Sequence, residues 1–193
     1  NIDHIATIRE ARRAAVPDPV LAARICERAG CDSIVCHLRE DRRHIKDADV
    51  AALRRSVTTR LNLEMSIAPD IVDIACRTRP DQATLVPEKR REVTTEGGLD
   101  VCRGEAAVAR VVARLARSGI AVSLFIDPDE PQIDAAIRTG AGIIELHTGE
   151  YANAPTERLR ARQLAVLSRA CRYARARGIE VNAGHGLDYD TVR

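Results

Sequence analysis

Aromatic side chains are nearly absent: one Phe, three Tyr and no Trp make up 2% of the 193 residues. Without stacking rings the chain has little with which to grip single-stranded nucleic acid. A field of one sign is missing too, because 30 basic side chains meet 28 acidic ones for a formal charge of +2. Neither nucleic acid nor an anionic membrane is an expected partner, so any anion site must be local. No apolar run reaches the 18 residues of a membrane span and no stretch reads as a signal peptide. The six cysteines (26, 31, 36, 76, 102 and 171) form neither a CxxC nor a zinc-finger spacing, so a disulfide framework is not expected and a reducing cytoplasm is. Lysine is confined to Lys46 and Lys89, the other basic residues being arginine. Codon bias on helix surfaces accounts for most of that surplus, while some guanidinium forks suit phosphate or carboxylate. Neither lysine sits inside a strand pattern, which disfavours an enzyme-bound Schiff base and leaves Lys89, in a loop, as its only candidate. GxGxxG, HxH, HExxH and EF-hand patterns are all missing.

What is there is an ordinary globular balance, 45% hydrophobic and 30% charged. Short apolar runs alternate with longer amphipathic ones. Four joints between them look alike, at Ala29-Gly30, Ser118-Gly119, Thr139-Gly140 and Arg177-Gly178. Each glycine falls where a helix ends in a left-handed residue, and a β-rich run follows at 32–38, 120–127, 141–149 and 179–186. Runs 60–65 and 82–87 add two strands, and Asn1-Ile2-Asp3-His4-Ile5 reads as the end of another, for seven in all. Between them, Val108, Val111, Val112 and Leu115 recur at helical spacing, as Leu164, Leu167, Cys171 and Ala174 nearly do. Pro17-Asp18-Pro19 and Ala68-Pro69-Asp70 read as helix starts. Alternating strands and helices predict a parallel sheet under helices, either doubly wound or closed as a (β/α)8 barrel.

The polar residues favour the barrel. His4, His37, His44, His147 and His185 all fall at or just past predicted strand ends, as do Glu64 and Asp127, while Glu145 lies within a strand. An open sheet gathers its ligand residues at one switch point, whereas a barrel's catalytic mouth draws on nearly every strand.

Glu145 and His147, two apart, share one side of their strand, expected to be the interior mouth. A structural ion pair closing the barrel is the alternative use. Glu64, between Leu63 and Met65, suits a half-buried carboxylate with a raised pKa, or a strand-end ion pair. His37 precedes the polar run Arg39 to His44, which argues against a merely packed histidine. The charged loop 86–101 carries Thr94-Thr95 and Gly97-Gly98, which could cradle a phosphate, close as a lid or be only solvated. His185 between Gly184 and Gly186 lets backbone approach a ligand closely. A metal held by His37, Glu64, Glu145 and His147 stays open at this point. The residues alone then predict acid/base chemistry on a small, phosphorylated molecule. Besides that, a metal-dependent sugar-phosphate epimerase or aldolase and a non-catalytic barrel remain as readings.

The blocks NIDHIATIREAR (1–12), PDPV (17–20), HLREDRRHI (37–45), RLNLEM (60–65), LVPEKRREVTTEGGLDV (85–101), VSLFID (122–127), ELHTG (145–149) and VNAGHGL (181–187) resemble the pyridoxine 5′-phosphate synthase family of deoxyxylulose-dependent vitamin B6 biosynthesis, along essentially the whole chain. The resemblance implies a (β/α)8 barrel in the cytoplasm, assembled as a homo-octamer. It also implies condensation of 3-amino-2-oxopropyl phosphate with 1-deoxy-D-xylulose 5-phosphate, with no metal and no organic cofactor. The Schiff base would then form between the substrates. By position it implies His37 and Glu64 as proton acceptors, His185 as proton donor and Glu145 as a transition-state stabiliser. Asn1, Arg12 and Gly186 match contacts to the amino-ketone phosphate, and Asp3, His4, Arg39, His44 and Thr94 contacts to the deoxyxylulose phosphate. Against the family's pattern, the start of the first strand and the eighth strand are missing. A single barrel domain over 1–193, retained from a chain of roughly 240 residues, is the expectation.

Overall fold

The computed structural model describes residues 1–88 and 97–192. Along the chain run α1 (Asp3–Arg12), α2 (Pro19–Arg28), β1 (Ser33–Leu38), α3 (Asp47–Ser56), β2 (Arg60–Met65), α4 (Pro69–Thr78), β3 (Gln82–Leu85), α5 (Val101–Arg117), β4 (Ala121–Ile126), α6 (Glu130–Arg138), β5 (Ile143–His147), α7 (Gly149–Ala152), α8 (Glu157–Arg175) and β6 (Glu180–Gly184). The four expected joints end their helices as read: Gly30, Gly119, Gly140 and Gly178 have φ of +94°, +78°, +84° and +81°. A side chain at any of them would be strained. Helix starts are fixed by carboxylates and a hydroxyl. Asp18 accepts from Val20 N–H at 2.9 Å, Asp129 from Gln132 N–H at 2.9 Å and Thr156 from Leu159 N–H at 3.3 Å. Each such cap contributes about 1 kcal/mol.

All strand pairs are parallel and the order is β1-β2-β3-β4-β5-β6. Because consecutive strands are always neighbours, the described residues show no reversal of order and hence no doubly wound switch point. The sheet is also curled. In a flat sheet β2 and β5 would lie about 14 Å apart, yet donor atoms of Glu64 on β2, Glu145 on β5 and His185 beyond β6 come within 4.8 Å of one another. This is a six-strand part of a (β/α)8 barrel.

Alternation along the strands divides two interiors. Leu61, Leu63, Met65, Leu85, Leu124, Ile126 and Leu146 face the helices and pack with Val108, Val112, Leu115, Ile133 and Ala174 in the main core. The opposite register carries Asn62, Glu64, Thr84, Ser123, Phe125 and Glu145 into the barrel, where Thr84 donates to Asn62 at 3.0 Å. Phe125 is fully buried yet stands outside the main core cluster.

At the amino end the expectation of a strand is corrected. Helix α1 begins at Asp3, and only Ile2 continues the sheet, its N–H donating to Val35 O at 3.0 Å. Asp3 in the first turn suits the positive end of the helix dipole, and Asn1 Oδ1 accepts from the Asp3 N–H at 2.8 Å, which favours helix over strand. The count among the described residues is therefore six strands rather than seven. At the other edge β6 has Asn182 and Ala183 exposed, and Leu164 on α8 is 51% exposed instead of packed. Among the described residues no helix is long and apolar enough to cross a membrane.

Candidate active site

The register of β1 against β2 places His37 directly beside Glu64. Both are buried at the mouth. Asp3, at the start of α1, accepts from the His37 backbone N–H at 2.8 Å, and donor atoms of Asp3, His37 and Glu64 lie within 4.8 Å of each other. Across the barrel, His185 Nδ1 and Glu145 Oε1 are 3.2 Å apart. Glu64 belongs to both groups, so the curl converges His37, Glu64, Glu145 and His185 on one spot. These are the four residues marked from the sequence as catalytic.

Their electrostatics follow from that convergence. Burial, reinforced by the Glu145 charge, pushes the Glu64 carboxyl up from its ordinary 4.5 to about 7, against the pull of His37 and His185. For His185, burial opposes the charged ring, but the Glu145 hydrogen bond and the Glu64 charge prevail, so its pKa is raised. A raised carboxyl and a raised imidazole side by side are an acid/base pair poised near neutral pH.

Local backbone is shaped to hold the pair. His185 has φ +77°, a left-handed conformation that costs a non-glycine residue about 1–3 kcal/mol. Thr148 fixes it, its hydroxyl lying 2.7 Å from Gly184 O and 2.6 Å from His185 O. A Cβ on Gly184 would overlap Oε1 of Glu145, so glycine there is what lets Glu145 reach the interior. Phe125 supports the His185 ring from below, with centroids 4.0 Å apart.

The matched binding residues are distributed less evenly. Arg39 is buried at the mouth, with Nε 3.7 Å from Asp41 Oδ1. His44 is half-buried with its ring 6.2 Å from that of His37; burial, with the neighbouring His37 and Arg39, lowers its pKa. His4 and Gly186 join His185 in lining a cavity of about 800 Å³, within the range of small-molecule sites. Asn1 accepts from the Asp3 N–H at the start of α1, as described. Arg12 is exposed on the last turn of α1, about 13 Å along the helix from Asp3, and is not drawn into the cluster. Thr94 lies outside the described residues, as does Lys89. Lys46 is tied to the loop between β1 and α3 and to α1, donating to Arg42 O at 2.6 Å and pairing with Glu10 at 3.0 Å.

Two features escaped the sequence reading. The Glu88 side chain is buried against that of His37, its Oε1 3.1 Å from His37 Nε2, while its Oε2 accepts from Glu40 N–H at 3.0 Å. Burial works against this carboxylate, yet those hydrogen bonds keep its pKa below the ordinary value. Its only sequence signal was membership of the charged run after Val86. The second is the pairing of His147 with Asp127 at 3.2 Å. That pairing corrects the four-ligand metal set. Among the described residues the groups able to hold a metal are Asp3-His37-Glu64 and Glu64-Glu145-His185, and His147 is in neither.

The family model of the pyridoxal phosphate biosynthesis protein PdxJ matches residues 1–193. Curated relatives named pyridoxine 5′-phosphate synthase include that of Trichlorobacter lovleyi, 54% identical over 192 residues, covering 100% of this chain and 80% of the relative. That of Thermosynechococcus vestitus is 56% identical over 192 residues, covering 100% and 81%. Among solved structures, a mandelate oxidase aligns with TM-score 0.58 at 16% identity, covering 89% of this chain and 57% of its own. A structure described as native KDPGal aligns with TM-score 0.55 at 16% identity, covering 91% and 76%. Such distant likenesses speak to the barrel fold alone. The family model and the two relatives together place this chain in the PdxJ family of pyridoxal phosphate biosynthesis, whose curated enzymes are named pyridoxine 5′-phosphate synthase.

Proposed function

We propose that the chain condenses 3-amino-2-oxopropyl phosphate with 1-deoxy-D-xylulose 5-phosphate, closing the pyridine ring of pyridoxine 5′-phosphate and releasing inorganic phosphate and water. The observation that carries this reading is Glu64, buried, near pKa 7, and shared between the His37 group and the Glu145–His185 pair.

The chemistry asks for such an arrangement. Attack of the amine on the ketone, loss of water, departure of phosphate and ring closure each move protons, and a positioned acid or base contributes about 10²–10⁴-fold to a step. Glu64 and His37 serve as proton acceptors. His185, held toward its protonated form by Glu145 and Glu64, serves as donor, and Glu145 offsets the positive charge that develops beside it. Schiff-base formation between the two substrates needs no enzyme lysine. Arg39 and His44, with Asp3, His4 and Thr94, hold the deoxyxylulose phosphate, and Asn1, Arg12 and Gly186 hold the amino ketone. Arg12, standing on the rim, has the least geometric support of these. The two three-ligand groups sustain a second reading, a metal-dependent epimerase or aldolase. A cytoplasmic single-domain barrel working as a homo-octamer completes the proposal.

Glu64→Gln and His185→Asn are each expected to lower turnover at least tenfold with the fold retained by circular dichroism. Wild-type rates in both variants would remove the roles.

A further inference from the structure

His147 ends β5 two residues after Glu145, so its ring lies on the same interior side. It is buried enough to be held, with 12% of its side chain exposed, and three contacts define its orientation. Phe125 meets it edge-to-face with centroids 5.1 Å apart and 72° between planes. Its Nδ1 lies 3.2 Å from Asp127 Oδ1, the oxygen that also accepts from Gly98 N–H at 3.0 Å. A carboxylate only accepts, so Nδ1 carries the hydrogen, and in the neutral ring the lone pair is then on Nε2. That Nε2 lies over Gly149, where a Cβ would stand 2.6 Å from it.

Glycine thus makes room for the His147 ring as Gly184 does for Glu145, while a Cβ on Gly98 would overlap the Ile126–Asp127 backbone, so glycine there lets its own segment approach the end of β4. Two side chains in the mouth are thus admitted by two glycines. The His147–Asp127 pair has no part in the cluster around Glu64. The His147 ring stands 6.1 Å from that of His185, and both line the cavity of about 800 Å³ with His4 and Gly186.

We propose that His147 is a further catalytic acid/base, oriented by Asp127 as its positioning residue and acting through Nε2 on the substrate in that cavity. The inference rests on the condensing reaction proposed above. In it, Nε2 accepts a proton from the substrate as a bond to nitrogen or carbon forms, becoming imidazolium with Nδ1–H still on Asp127. It then gives that proton to a departing hydroxyl, which leaves as water, and the ring returns to its starting form. No oxidant or other reactant is consumed. The titratable groups around His147 are Asp127 from the end of β4, Glu145 on its own strand, His185 beyond β6, His4 on α1 and Glu150 and Tyr151 on α7.

His147→Asn tests this most directly, because the asparagine amide nitrogen takes the place of Nδ1 and keeps the Asp127 bond while Nε2 is lost. With both phosphorylated substrates, kcat is expected to fall at least tenfold, KM for each to stay within threefold, and one limb of the kcat–pH profile to disappear. Asp127→Ala, at a half-exposed position, is expected to lower kcat by less and to shift that limb. Nitrogen-15 NMR of the wild-type imidazoles is expected to show His147 as the Nδ1–H tautomer, giving way to a mixture in Asp127→Ala. Wild-type kcat and pH profile in His147→Asn, beside an active wild type, would overturn this inference and leave the proposed reaction standing. So would an Nε2–H tautomer at His147, whatever the activity. An inactive wild type would instead remove the reaction and this role with it.

Discussion

Replacing Glu64 by glutamine separates what the carboxylate costs the fold from what it does in the reaction. In the folded chain burial lifts its pKa from 4.5 to about 7, while in the unfolded chain it returns to its ordinary value. Between those pH values the folded state binds more protons than the unfolded one, so wild-type stability falls as pH rises through the interval. That difference corresponds to about 3 kcal/mol by pH 8. Glutamine keeps the shape and does not titrate. The stability of Glu64→Gln relative to wild type is therefore expected to rise by about 2–3 kcal/mol between pH 5 and pH 8. Urea unfolding of both proteins across that range measures it. Turnover should move the opposite way, with the variant at least tenfold slower at every pH. A stability difference that does not change with pH would refute the buried, neutralised carboxylate, and with it the reason for placing a base there.

Three other perturbations probe the supporting structure. Gly184→Ala puts a methyl group against Glu145 Oε1 and should separate Glu145 from His185, lowering kcat at least tenfold in steady-state assays while KM changes little. Glu88→Gln keeps the volume beside His37 but removes the charge, and kcat should fall by about three- to tenfold with a displaced pH profile; an unaltered profile would make Glu88 a packing residue only. Arg39→Ala removes a buried cation that would hold substrate in ground and transition states alike, so KM for the sugar phosphate should rise more than kcat falls.

How far the sequence reached depends on the range of the contact involved. Helix ends marked by Gly30, Gly119, Gly140 and Gly178 were legible because left-handed backbone is a local property of glycine. The strands at Arg60–Met65 and Ala121–Ile126 were legible because each is a short, largely apolar run set between longer amphipathic stretches. The amino end was misread because a short apolar-polar run fits a strand or a first helical turn equally. His37, Glu64, Glu145 and His185 could be marked individually from strand ends and from family blocks. Their convergence could not, since it depends on how sharply the sheet curls. Glu88 with His37 and Asp127 with His147 join residues 51 and 20 positions apart, and neither spacing leaves a periodic trace.

The central claim is best met by incubating the chain with 3-amino-2-oxopropyl phosphate and 1-deoxy-D-xylulose 5-phosphate in the presence of a chelator, following pyridoxine 5′-phosphate by its absorbance and phosphate release in parallel. The account predicts product and inorganic phosphate in equal amounts, at the same rate with and without the chelator. Absence of the pyridine product, or activity lost to the chelator and restored by a divalent ion, would contradict it.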